Sequence, residues 1–213
     1  MSRLVIANIE CVDSQENYGR FECAPMEHGF GVTLGNALRR VMLGYLPGAA
    51  VTQVQIGSIL HEFSTIPDVK EDTIEFLLNV KSIRLKALGD RPGKLMLRKE
   101  GAGEIYARDI APSVDFEIIN PDCYLATVNS DKAVFEVEFD VDLGTGYHTA
   151  TSEDGMPIGT IPVDAVFTPI RKVNYHVKAL PTVDGESRDL LQVEVWTDGT
   201  ITPEEAISEG ARV

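Results

Sequence analysis

The 213-residue sequence predicts an α+β fold, and three observations carry that expectation. Strand-like runs recur along the chain, one of them with clear period two, and three separate segments carry helical periodicity or a helix start. The two kinds of element do not alternate as they would in a βαβ chain. Hydrophobic residues at 44% and charged residues at 24% are ordinary globular values, and the chain is long enough to bury a substantial core.

Leu4 to Val12 reads as a strand, Asp13 to Asn17 as a turn and Tyr18 to Cys23 as the returning strand. A glycine-punctuated loop, Glu27 to Gly31, leads to a helix expected over Thr33 to Leu46, with Thr33 as N-cap and Pro47-Gly48 as the stop. Leu34, Ala37, Leu38, Val41, Met42 and Tyr45 form one apolar stripe on it, while Asn36, Arg39, Arg40 and Leu43 fall on the opposite side. Val51 to Ile59 predicts a strand, and Glu71 to Lys81 a second helix with Ile74, Leu77 and Leu78 on one face.

Short strands follow from Ile83 to Leu143. The clearest runs from Phe135 to Leu143, where Phe135, Val137, Phe139, Val141 and Leu143 alternate with Glu136, Glu138, Asp140 and Asp142. That alternation specifies a strand with one wet face. Gly144 to Gly159 is rich in turn residues and reads as an exposed loop, with strands again at Val173 to Ala179 and Leu191 to Trp196. Thr202-Pro203-Glu204-Glu205 predicts a helix start: Thr202 as N-cap, Pro203 in the first turn and Glu205 completing a capping box. The chain ends at Val213, so so short a helix needs a surface to pack on.

Composition narrows the function classes. A net charge of -14 repels phosphate backbones, so this chain alone is expected to bind DNA little or not at all. Three widely spaced cysteines, Cys11, Cys23 and Cys123, fit neither a disulfide framework nor a zinc site. The sequence carries no apolar run of membrane-spanning length, and Met1 to Glu10 do not read as a secretory leader. A cytoplasmic location with no membrane association is the expectation.

Candidate chemistry is sparse. Gly29, Gly31 and Gly35 match neither a dinucleotide fingerprint nor a Walker loop, and read as a sharp turn bringing a helix close to another backbone. His61-Glu62 lacks a second histidine at ligand spacing. In the row Glu136, Glu138, Asp140, Asp142, side chains two residues apart lie roughly 7 Å from each other on a strand, too far to share one ion. No metal and no bound cofactor are expected. Arg39-Arg40 with Leu43 between them is the informative group. A large apolar residue on a nominally wet face, flanked by arginines, suits a helix sandwiched between two surfaces.

Four blocks carry a family resemblance. Gly29-Phe30-Gly31-Val32-Thr33-Leu34-Gly35-Asn36-Ala37-Leu38-Arg39-Arg40 resembles the signature segment of the bacterial RNA polymerase alpha subunit. Leu60 to Pro67 with Val69-Lys70-Glu71-Asp72 resembles its second block, and Ile161 to Phe167 with Pro169 its third. Trp196 to Thr200 followed by Pro203-Glu204-Glu205-Ala206 is similar to the fourth, and the blocks stand in family order.

The resemblance implies a discontinuous dimerisation subdomain, residues 1-47 and 169-213, with an inserted mostly-β subdomain, residues 48-168. It implies a dimer interface through Phe30, Leu34, Leu38 and Val41. It implies beta-subunit contact through Arg39, Arg40, Leu43, His61 and Lys81, and beta-prime contact around Val163, Arg171 and Lys172. The chain is then a non-catalytic scaffold of a DNA-directed RNA polymerase, with the catalytic magnesium in its partner subunits. Family members carry a longer final helix and a separate DNA-binding domain, so promoter contact is not expected from residues up to Val213. The family's Arg-Thr-Asp-Leu-Asp-Lys stretch is here Gly185-Glu186-Ser187-Arg188-Asp189-Leu190. Two other classes remain open on the residues alone: an autonomous β-rich protein-binding domain, and a cation-dependent enzyme using the acidic row.

Overall fold

The computed structural model describes residues 7–151, 156–181 and 187–213. The chain packs as two compact units, one from residues 1–46 and 168–213, the other from residues 47–167.

The first unit opens with β1 (Asn8–Gln15), β2 (Tyr18–Glu27) and α1 (Phe30–Gly44). The second unit holds β3 (Pro47–Ile56), α2 (Thr73–Val80), β4 (Leu85–Ala87), β5 (Gly93–Glu100) and β6 (Gly103–Tyr106). A short 3-10 turn at Ala107–Asp109 precedes β7 (Phe116–Ile118), β8 (Tyr124–Val128) and β9 (Val134–Thr145). Then come β10 (Tyr147–His148), β11 (Thr160–Pro162) and β12 (Ala165–Val166). The chain returns to the first unit as β13 (Ile170–Pro181), β14 (Ser187–Thr197) and α3 (Pro203–Gly210). Mostly sheet with three helices, the fold is α+β, as the element pattern predicts.

In the first unit an antiparallel sheet of order β1-β2-β14-β13 carries α1 and α3 on one face. Leu191, Val193 and Val195 of β14, Val173 of β13 and Met42 of α1 close the core. The helix lies unusually close to the strands. A Cβ built on Gly35 would stand 2.6 Å from the Tyr175 ring and 2.9 Å from Leu191. α3 begins with the predicted capping box: the Thr202 hydroxyl accepts the Glu205 amide at 3.2 Å, and the Glu205 carboxylate accepts the Thr202 amide at 3.0 Å. Ala206 and Gly210 are buried, and a Cβ on Gly210 would meet Met42 at 2.8 Å. That packing on α1 is the support an eight-residue helix needs.

The second unit is a sheet of order β5-β9-β3-β4-β7, with β11 added against β3. β9 alternates as its sequence requires, with Phe135, Val137, Phe139 and Val141 buried. Phe76 of α2 sits edge-on to Phe135 at 5.5 Å and 6.5 Å from Phe139, joining the helix to this row.

Helix boundaries and faces differ from the sequence expectation. α1 begins at Phe30, so Thr33 lies inside its first turn, and the cap is Gly29 at φ 86°. The line of α1 nearest the sheet is Gly31, Gly35, Leu38 and Met42; Ala37 and Tyr45, assigned to the inner stripe, are exposed. Leu43, assigned to the outer side, packs partly against the core. On α2 the buried residues are Thr73, Phe76 and Val80, while Ile74 and Leu78 are 43% and 60% exposed. β1 runs through Gln15 and β2 through Glu27, leaving a turn of two residues between them. Of the stretch read as a loop, Tyr147–His148 forms β10, and residues 152–155 lie outside the described residues.

Gly35→Ala is expected to lower the unfolding free energy by about 1–3 kcal/mol, because the overpacked Tyr175 ring must move. The alanine's helix propensity gain of about 1 kcal/mol offsets only part of this. Urea denaturation reads the sign directly, and a more stable variant refutes the close packing.

Candidate functional site

The first candidate surface is α1. Its buried line leaves two flanks. One carries Phe30, Ala37, Val41 and Tyr45, with Phe30 56% and Tyr45 63% exposed and Leu34 and Val41 half-buried. The other carries Arg39 and Arg40, both exposed and without an ion pair among the described residues. A cleft of about 220 Å³ opens beside the apolar flank, lined by Ala7, Cys23, Pro25, Met26, Glu27, Phe30 and Leu34. Phe30, Leu34 and Val41 therefore share a surface, and Leu34 and Leu38 are both half-buried and pack against the core.

What fixes this helix is a carboxylate from another strand. Asp189 of β14 is buried at 3% exposure, and its Oδ2 accepts the amides of Gly29 at 2.8 Å and Gly31 at 3.3 Å. Its Oδ1 lies 3.3 Å from Nδ1 of the exposed His28. The amide donors at a helix start and its positive end both favour an anion there. Burial alone would raise the Asp189 pKa, but the bonds from Gly31, Gly29 and His28 hold it below the ordinary carboxylate value. Sequence reasoning passed over Asp189 as a site. Its signal was parity: it shares the core-facing row of β14 with Leu191, Val193 and Val195, where a carboxylate needs buried donors. Gly185 and Glu186 of the same stretch lie outside the described residues.

In the second unit, the Leu60-to-Asp72 block wraps into a loop fastened to α2. The Thr73 hydroxyl donates to the Ser64 carbonyl at 2.7 Å, and Asp72 caps α2 by accepting the Glu75 amide at 2.7 Å. Glu71 is buried, accepting the Thr127 amide at 2.7 Å and the Tyr124 hydroxyl. Held this way, the loop leaves Leu60, His61 and Phe63 exposed, with His61 Nδ1 3.1 Å from the Ser64 hydroxyl.

Lys81, at the end of α2, is not a free cation. Its Nζ lies 3.0 Å from Asp164 Oδ2 and 5.1 Å from the centre of the Tyr147 ring. Asp164 also accepts the Tyr147 hydroxyl at 2.7 Å and the Ala150 amide at 2.8 Å. Hydrogen bonds from Ala150, Tyr147 and Lys81 hold its carboxyl down at about 2. Burial works against the Lys81 charge, yet Asp164 and Tyr147 raise its pKa above the ordinary value. Val163, next in the chain, has a buried side chain and an amide donating to the Thr52 carbonyl at 2.8 Å. Arg171 and Lys172 are exposed on β13 in the first unit, with the Lys172 ammonium 4.6 Å from the Trp196 ring centre.

The acidic row of β9 is engaged across strands. Lys94 pairs with Glu138 and, at 3.1 Å, with Asp140; Arg98 reaches Glu136 at 3.1 Å; the Thr52 hydroxyl donates to Asp142 at 2.6 Å. Among the described residues, no group of three or more His, Cys, Asp or Glu is placed to hold a metal ion. Among them too, no helix is long and apolar enough to cross a membrane, which leaves β-barrel spans unaddressed.

An α+β chain whose first unit is interrupted by a sheet-rich insert defines a class by its architecture: insert-bearing α+β proteins. The model of the RNA polymerase Rpb3/RpoA insert domain matches residues 54–168, more than half of the chain, and the chain belongs to that family. A DNA-directed RNA polymerase subunit alpha from Dehalococcoides mccartyi is 51% identical over 213 residues, covering 100% of this chain and 64% of that protein. The subunit alpha of a Roseiflexus species is 48% identical over 213 residues, 100% of this chain and 66% of that protein. That of Alkaliphilus metalliredigens is 48% identical over 204 residues, 95% of this chain and 64% of that protein. The chain thus spans 64% to 66% of the length of these relatives. The family expectation drawn from the four sequence blocks is borne out.

Because the folded-state pKa of Asp189 is lowered, its clamp contributes in full above about pH 4, the ordinary carboxylate value, and is lost as pH falls through the lowered value. Asp189→Asn should therefore lower stability at neutral pH and flatten the acid limb of a stability-against-pH curve. An acid limb as steep as the wild type's contradicts the clamp.

Proposed function

We propose that the chain is an assembly scaffold of bacterial RNA polymerase. In this reading it pairs with a second copy through Phe30, Leu34, Leu38 and Val41. It engages the beta subunit through Arg39, Arg40, Leu43, His61 and Lys81, and the beta-prime subunit around Val163, Arg171 and Lys172. The chain itself supplies no catalytic group. Magnesium and nucleotide chemistry belong to the large subunits, and the assembly is cytoplasmic.

One observation carries the reading. α1 exposes an apolar flank and, on the other, two arginines without ion pairs among the described residues, in a chain about half identical over its length to alpha subunits. Exposed Phe30 and Tyr45 suit a dry contact, and an unpaired arginine suits a carboxylate-bearing partner. The placements refine the roles. Leu34 and Leu38 are half-buried against the core, so exposed Phe30 is the better probe of the dimer, while Val163 is buried and leaves its exposed neighbour Val166 to face a partner.

Light scattering should give a dimer for the wild type and a monomer for Phe30→Glu, with thermal unfolding little changed because Phe30 is exposed. Arg40→Ala should keep the dimer but weaken capture of purified beta subunit about thirty-fold, the cost of roughly 2 kcal/mol for an interface arginine. A dimeric Phe30→Glu, or an Arg40→Ala that captures beta normally, overturns the assignment.

A further inference from the structure

Lys81 stands in an arrangement that a partner-contacting lysine would not need. Its ammonium is shared between the Asp164 carboxylate at 3.0 Å and the face of Tyr147, and its side chain is only 29% exposed. Asp164 takes two further donors, the Tyr147 hydroxyl and the Ala150 amide. A cation already neutralised and partly covered has little left to offer a second carboxylate.

The two ends of this link differ in rigidity. Lys81 follows directly on α2, which Phe76 and Val80 bury at 0% and 1% exposure. The other end is the β10–β12 ladder, which has two residue pairs, Tyr147 with Val166 and His148 with Ala165. So short a ladder does not hold itself. The Phe167 amide donates to the Gly146 carbonyl at 2.9 Å, and Val163 is tied to Thr52. Ala165 and Phe167 pack against Ala50, and the Lys81–Asp164 pair adds the polar link that joins the ladder to the end of α2.

We propose that Lys81 acts on partner binding through Asp164, as a positioning residue that holds the β10–β12 ladder in its docking shape, rather than by touching the partner. The proposal rests on the assembly reading, since it concerns the surface around Val163 and Val166. Lys81 then leaves the direct beta contacts and joins the beta-prime surface: losing Lys81, Tyr147 or Asp164 weakens capture of the beta-prime subunit and spares the beta subunit.

The test is a double-mutant cycle on the full chain with Lys81→Met, Asp164→Asn and the pair, read as affinity for purified beta and beta-prime subunits. A companion measurement follows amide hydrogen exchange in the chain without partners. Each single change is expected to weaken capture of the beta-prime subunit about tenfold, the double change no more than either alone, with Lys81→Arg close to wild type. Exchange at Tyr147 to Ala150 and Ala165 to Phe167 should rise in Lys81→Met. Additive losses, or exchange left unchanged, overturn the proposal and make Lys81 a direct contact. If the wild type captures neither large subunit, the assembly reading falls, and exchange alone still decides whether Lys81 holds the ladder.

Discussion

A helix can settle onto a sheet at such short range only where its contacting residues lack side chains, and α1 meets that condition at Gly31 and Gly35. The approach buries the Gly31 amide at the start of the helix, where water cannot satisfy it. Asp189 is the answer: a carboxylate on the inward row of β14 that receives the Gly29 and Gly31 amides. Packing distance and cap are one constraint. A larger residue at position 35 would lift the helix off its acceptor, and a residue without an acceptor at 189 would leave the close packing to stand over unpaired donors.

The same constraint explains which residues α1 leaves outside. Because its inner line begins with glycines, the apolar side chains beside that line are more than the sheet can cover. Phe30 and Tyr45 remain exposed, and Leu34 and Val41 half so. In the second unit the fastening is polar. Buried Glu71 holds the loop before α2 to β8, while Asp164 joins the end of α2 to β10 and β12. Each carboxylate receives two or more hydrogen bonds, which is what makes ionised groups tolerable where burial is deep, as at Glu71 and Asp189.

Patterns written by side-chain polarity were readable in the sequence. The alternation of Phe135 to Leu143 and the Thr202–Glu205 capping box appear in the structure at the positions their spacing gave. Faces decided by packing were not. A helical wheel assigns glycine no weight, so it turned α1 away from its true inner line; on α2 it favoured Ile74 and Leu78 over Thr73, whose hydroxyl is spent on the Ser64 carbonyl. The carboxylates that hold the surfaces in place escaped notice because their partners are distant in sequence: Asp189 with Gly29, Asp164 with Lys81. Composition cannot report a pairing that only the folded chain creates.

The first unit is assembled from both ends of the chain, and β2 finds its neighbour in β14. A ribosome therefore releases β1, β2 and α1 long before the strands that complete their sheet exist. The insert, continuous in sequence, can fold as it emerges. Until Asp189 is made, the start of α1 has no acceptor and its glycine line nothing to lie on, so the exposed flank of the helix takes its final shape only after β14 has been synthesised. Translation order thus withholds a sticky surface until the insert and the strand behind it have both been made.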